Sequence, residues 1–171
     1  MSRIVLLPRH VFAIHRHALT TYPEECCGVL IGRALRGRQG SFVERVLSVQ
    51  NERPDSRSNR FLIHPETVLA AQKEARRAGL DIVGYYHSHP DHPARPSDFD
   101  REHAWPGLSY LIVSVAGGEV AETRSWRLAE DRSGFEEEGV DHRVPVSPAS
   151  FRADDEPPAS GPDRAELGEA V

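Results

Sequence analysis

Two periods of apolar positions divide the first 146 residues into strands and helices. Arg3 to Leu7 is a short apolar run of strand length. Pro8 suits the first turn of a helix, where its missing N–H costs nothing. Val11, Ile14, Ala18, Leu19 and Tyr22 then recur at helical spacing until Pro23 stops the pattern. Glu24-Glu25 leads into the apolar run Cys27 to Gly32, and Ser41 to Gln50 alternates as its partner strand, with Gly37 and Gly40 in the turn between them. Asn51 to Asn59 is polar and rich in turn formers, so it reads as a loop. Phe61 to Ile63 reads as a short strand or an extended lead-in. Pro65 to Ala78 is a second helix, ended by Gly79, and Leu80 to His87 is a strand. After a proline-containing loop, Asp91 to Pro96, the run Ser97-Asp98-Phe99-Asp100 has the form of a capping box, opening a short helix that ends before Pro106. Leu108 to Val115 is a buried strand, Gly117-Gly118 a turn, Val120 to Leu128 an alternating strand and Phe135 to Val146 its partner. Hairpins alternating with helices give a mixed α/β (α+β) domain, a mixed sheet with helices packed against it.

Composition changes this picture at the C-terminus. From Val146 onward six acids (Asp154, Asp155, Glu156, Asp163, Glu166, Glu169) face only Arg152 and Arg164, so most of the net charge of -5 lies there. That stretch is also rich in proline, and it cannot bury enough apolar surface to fold. The expected organisation is one domain over residues 1–146 and a disordered tail over 147–171. The body is close to neutral and has no basic run with interleaved aromatics, which argues against nucleic acid as a partner. No apolar span approaches the length that crosses a bilayer, so no membrane is expected, and the cytoplasm is the expected compartment. Cys26 and Cys27 are adjacent, which disfavours a disulfide between them, and they read as small residues entering a strand. A homodimer could form through an exposed sheet edge or the first helix.

The chemistry concentrates at His87-Ser88-His89-Pro90, followed by Ser97 and Asp100. Residues i and i+2 of a strand share a face, so His87 and His89 can aim at one ion. Asp100, in the first turn of the next helix, can add a carboxylate. Two histidines and one carboxylate leave the fourth position of tetrahedral zinc open, the pattern of a catalytic site. Each residue also has a plainer reading alone: the histidines as core or surface residues, Ser97 as a helix cap, Asp100 as the other half of that capping box. His92 and His103 are further ligand candidates. Amide hydrolysis would also need a glutamate that does not bind the metal, to move the proton of the attacking water, and a donor for the oxyanion, which the Ser97 hydroxyl could reach.

The spacing of His87, His89, Ser97 and Asp100 resembles the JAMM (MPN+) metalloprotease motif. Tyr22-Pro23-Glu24-Glu25-Cys26-Cys27-Gly28, Asn51 and Arg60-Phe61 look like the bacterial form of that family. The resemblance implies a zinc (Zn2+) hydrolase in which His87, His89 and Asp100 are ligands, Glu25 is the general acid/base and Ser97 stabilises the oxyanion, with Glu24 a solvated neighbour. It implies the MPN/JAMM fold, a curved mixed β-sheet flanked by helices, cytidine-deaminase-like. It also implies cleavage after the C-terminal Gly-Gly of a ubiquitin-like protein. The short connection from His89 to Ser97 favours a small ubiquitin-like sulfur carrier over polyubiquitin. Three other readings compete with it: a non-catalytic MPN-fold module binding ubiquitin-like proteins, a cysteine hydrolase using Cys26 or Cys27, and a zinc deaminase, for which the required P-C-x-x-C is absent.

Overall fold

The structure, a computed structural model, describes residues 2–35, 39–52 and 60–142. The expected tail over 147–171, the end of the strand expected to reach Val146, Gly37 and most of the 51–59 loop lie outside the described residues. Along the chain the elements are β1 (Arg3–Val5), α1 (Pro8–Thr21), β2 (Cys27–Ala34), β3 (Gly40–Val49), α2 (Pro65–Arg77), β4 (Asp81–Pro90), α3 (Asp98–His103), β5 (Ser109–Ala116), β6 (Glu119–Leu128) and β7 (Phe135–Asp141).

The strands form a mixed sheet in the order β1-β3-β2-β4-β5-β6-β7, and it closes into a barrel. The sequence led to a curved mixed sheet flanked by helices, and here that curvature runs on to closure. The cause is β1, which pairs in parallel with β3 on one side and with β7 on the other, Ile4 lying between Ser41 and Val140. Hydrophobic pattern shows that a strand is buried but not that it has two neighbours. Closure through the three residues of β1 pairs only the start of β3 and the end of β7. Among the described residues, β3 after Phe42 and β6 before Ser125 keep a strand partner on one side only. Phe61 to Ile63 belongs to neither a helix nor a strand.

Alternate residues of β2 separate two cores. Leu30 joins Ile4, Leu6, Ile14, Val43, Leu111 and Val113 in the core under α1, whereas Val29 and Ile31 pack with Val49, Ala71 and Ala75 under α2. The buried residues of α1 are His10, Ile14 and Ala18, one every fourth position. β5 is buried along nearly its whole length, as expected for a central strand paired in parallel with β4 and antiparallel with β6. Gly28 lets the fully buried Tyr86 ring cross β2: a Cβ there would collide with that ring and with the Leu47 carbonyl. No helix among the described residues is long and apolar enough to cross a membrane.

β4 and β5 are parallel, so the chain must cross over between them. That crossover carries the 91–96 loop and α3. It brings α3 back to the end of β4 where the two histidines sit.

Candidate metal centre

β4 continues to Pro90, three residues beyond the expected end, and so includes both histidines. His87 pairs with Cys27 of β2 and with Ile112 of β5, which holds its backbone from both sides. His87 Nε2 lies 3.1 Å from His89 Nε2. Asp100 lies opposite, with Oδ1 3.4 Å from His87 Nε2 and Oδ2 3.8 Å from His89 Nε2. One ligand atom from each of the three residues falls within 4.8 Å of the others. A tetrahedral zinc with bonds of about 2.0–2.2 Å would hold its ligand atoms about 3.3–3.6 Å apart. The separations found straddle that edge length, so the donor set fits such an ion in both chemistry and size.

Each ligand candidate is oriented by a second contact. The other nitrogen of His89, Nδ1, lies 2.8 Å from the carbonyl oxygen of Pro93. A carbonyl only accepts, so Nδ1 carries the proton and the Nε2 lone pair faces the cluster. His87 Nδ1 is buried without a hydrogen-bond partner, and that ring is oriented by stacking instead, on Phe61 at 4.6 Å between centroids. Asp100 Oδ2 accepts from the Ser97 backbone N–H at 2.7 Å and from the Ser97 hydroxyl at 2.6 Å, while Ser97 Oγ accepts from the Asp100 N–H. The expected capping box is therefore present. It turns the Asp100 carboxylate so that its other oxygen approaches His87.

Burial sets the electrostatics. Glu25 is 4% exposed. Burial pushes its carboxyl up to about 7, with the Asp100 charge adding to the rise and His87 opposing it. Burial takes His89 down to about 4, with His87 adding to the fall. For His87 burial acts downward but is outweighed by the Asp100 carboxylate, and the net shift is upward. Asp100 is held well below the usual carboxylate range, because His87 and the Ser97 hydrogen bonds overcome its burial. The result is a neutral His89, an ionised Asp100 and a buried carboxyl poised to exchange a proton near neutrality, a combination suited to general acid–base work.

The other candidates are placed elsewhere. His103 Nδ1 bonds to the Phe99 carbonyl at 2.8 Å and its ring stacks on Phe99, so it is turned away from the cluster. His92 is exposed and absent from the cluster. Glu24 is exposed. Cys26 and Cys27 are buried, in no disulfide, and burial raises their thiols to about 11 and about 12. Such thiols stay protonated and are weak nucleophiles, which argues against a cysteine hydrolase.

Residues 7–129 match the family described as prokaryotic homologs of the JAB domain, and this range spans Glu25, His87, His89, Ser97 and Asp100. The chain belongs to that family. This agrees with the bacterial JAMM resemblance carried by the histidine motif. Among curated relatives, a desampylase of Pyrococcus furiosus is 30% identical over 74% of this chain and 82% of its own length. A desampylase of Haloferax volcanii is 38% identical over 56% of this chain and 66% of its own length. A protein of Thermus thermophilus named as a probable TtuB-protein conjugate cleaving protease is 35% identical over 67% of this chain and 72% of its own length. A solution structure of a Desulfitobacterium hafniense protein superposes with a TM-score of 0.67 at 34% identity, covering 82% of this chain and 91% of that one.

Within this JAB domain, several supporting residues carry no motif of their own. Ser114 Oγ donates to the His92 carbonyl, Glu122 Oε1 accepts from the Ala94 N–H, and Trp126 Nε1 donates to the Ala94 carbonyl. Together they pin the loop that presents Pro93 to His89. Their sequence signal is only that of polar or aromatic residues in alternating strands. Tyr22 donates to Asp91 Oδ2, and Asp91 Oδ1 accepts from the Gly117 N–H, tying the segment before Glu25 to the segment after His89.

Proposed function

We propose that this chain is a zinc metallopeptidase that hydrolyses the bond following the C-terminal Gly-Gly of a ubiquitin-like or sulfur-carrier protein. The observation that carries the reading is the convergence of one ligand atom each from His87, His89 and Asp100, beside a buried Glu25 whose carboxyl titrates near 7. The names of the desampylase and conjugate-cleaving relatives support the substrate class. Residues 1–146 are the catalytic domain, of cytidine-deaminase-like architecture, and 147–171 an acidic tail. The protein acts in the cytoplasm.

In this reading His87, His89 and Asp100 would hold Zn2+, which when bound would supply Lewis acidity for the hydrolysis. Glu25 takes the proton released as the water attacks and returns it to the leaving amine. A carboxyl near 7 can do both at neutral pH. Ser97 donates to the oxyanion that develops on the carbonyl, its hydroxyl turning from Asp100 Oδ2 to do so. The neutral His89, its Nδ1–H held by Pro93, would leave its Nε2 lone pair available to the ion.

The test is incubation with the host's Gly-Gly-ended ubiquitin-like proteins, each extended at the C-terminus, read by intact mass. Release of the extension, lost on chelation and restored by zinc, is expected. Every carrier left intact by the zinc-loaded protein, with binding retained, would favour the non-catalytic MPN-fold module instead.

A further inference from the structure

The peptide unit joining Glu25 to Cys26 is held at both poles by side chains. Asn51 Nδ2 donates to the Glu25 carbonyl at 3.1 Å, and the Cys26 N–H donates to Ser88 Oγ at 2.8 Å. The Ser88 N–H in turn donates to the Cys26 carbonyl. Glu25 lies just before β2 begins at Cys27. Here the regular strand ladder gives way, and side chains supply partners that the backbone would otherwise need. Buried peptide groups require such partners, and these two come from different parts of the chain.

Asn51 does more than satisfy one carbonyl. Its side-chain amide also donates to the Arg60 carbonyl at 3.0 Å, and its Oδ1 accepts from the Leu62 N–H at 3.1 Å. Those two groups flank Phe61, whose ring lies on His87. One buried amide therefore fixes the peptide from which Glu25 projects and both sides of the residue that orients His87. The task needs two donors and one acceptor on a short side chain. Asparagine has them, aspartate lacks the donors and alanine has neither. Ser88 sits between the two histidines on β4, with its hydroxyl on β2 rather than in the cluster.

We propose that Asn51 and Ser88 are positioning residues for Glu25, with Asn51 also setting the ring of His87 through Phe61. The proposal rests on the reading of Glu25 as the proton-transfer group. Misplacing such a group by about 1 Å costs on the order of 100-fold in rate, and loss of a supporting contact around a metal site costs about 10–100-fold.

The test compares Asn51→Asp and Ser88→Ala, each alone and combined with Glu25→Gln, all loaded with zinc and measured for zinc content. Each single variant is expected to retain full zinc and lose about 10–100-fold in kcat with KM within about three-fold of wild type; on top of Glu25→Gln, Ser88→Ala is expected to add nothing and Asn51→Asp clearly less than its own loss, the remainder acting through His87. A kcat within about two-fold of wild type for both variants, or losses that multiply with that of Glu25→Gln, would overturn it. Should Asn51→Asp not fold, Ser88→Ala, which removes one oxygen, carries the same comparison. If the wild type cleaves none of the carriers, the hydrolase reading fails by itself. Crystal structures of zinc-loaded wild type and Ser88→Ala then decide the positioning claim. A Glu25 carboxylate displaced by about 1 Å or more supports it, and one left in place overturns it.

Discussion

The imidazole of His89 donates from Nδ1 to the carbonyl oxygen of Pro93, 2.8 Å away and four residues later in the chain. This bond decides which nitrogen faces His87 and Asp100, so whatever fixes Pro93 also fixes the His89 ring. One anchor of that loop is the Trp126 indole N–H on the Ala94 carbonyl, beside the Glu122 carboxylate on the Ala94 N–H. Trp126→Phe keeps an aromatic ring beside Tyr110 and Leu128 but leaves a buried carbonyl without that donor. The expected cost is about 1–2 kcal/mol of stability, with a weakening of zinc affinity of about 10-fold. Competition with a chromogenic chelator measures the second quantity. Unchanged zinc affinity would show that the loop keeps its place without the indole.

The metal-free protein should carry the signature of Glu25 in its pH–stability profile. The carboxyl is raised by burial from 4.5 to about 7. Between these values the folded state holds a proton that the unfolded state has lost, so stability is greatest below 4.5 and falls as pH rises through about 7. The size of the effect is on the order of 3 kcal/mol. His89, lowered by burial from 6.5 to about 4, acts with the opposite sign, its contribution being present above 6.5 and lost as pH falls towards 4. The two slopes largely cancel in wild type. Glu25→Gln removes one of them, so the stability of the variant relative to wild type should rise between pH 4.5 and 7. Urea melts of both chelator-treated proteins test this, and a difference that stays constant across the range would mean that burial does not govern Glu25.

The adjacent thiols offer a test of the competing nucleophile. Burial raises Cys26 to about 11 and Cys27 to about 12, so the thiolate fraction at pH 8 is below about one in a hundred. Iodoacetamide at that pH should leave the folded protein unmodified by intact mass, and should add two groups after unfolding. Rapid native alkylation accompanied by loss of hydrolysis would return the thiol mechanism to consideration.

Local chemistry made much of this protein legible. Pro8 and Pro65 begin α1 and α2 as their fixed backbone angle favours, and Ser97 and Asp100 form the capping box their spacing suggested. The histidine pair was readable because a strand puts alternate residues on one face. What escaped the sequence depends on partners distant in the chain. The double pairing of β1 sets Arg3 between Gly40 and Gly139, with Gly40 giving room for the Arg3 carbonyl, which no periodicity records. The anchors Ser114, Glu122 and Trp126 lie in strands whose alternation explains their faces but not their hydrogen bonds. Asn51 was visible only through family resemblance, since an asparagine in a polar loop usually marks a turn.

The Ser97 hydroxyl caps α3 and is also the donor proposed for the oxyanion, and the two roles can be separated. Its Oγ accepts the Asp100 N–H as a helix cap and donates to Asp100 Oδ2. Ser97→Ala should lose about 1 kcal/mol from the cap, a fall of a few degrees in melting temperature. Asp100 would keep the Ser97 backbone N–H, which the substitution does not touch, so zinc content should stay near full. If the hydroxyl also stabilises the oxyanion, kcat should fall by about 100- to 1,000-fold, far beyond what the lost cap explains. Measuring melting temperature, zinc content and kcat on the same sample separates the contributions. A lowered melting temperature with kcat nearly intact would leave Ser97 as a cap alone and move the oxyanion contact to another donor.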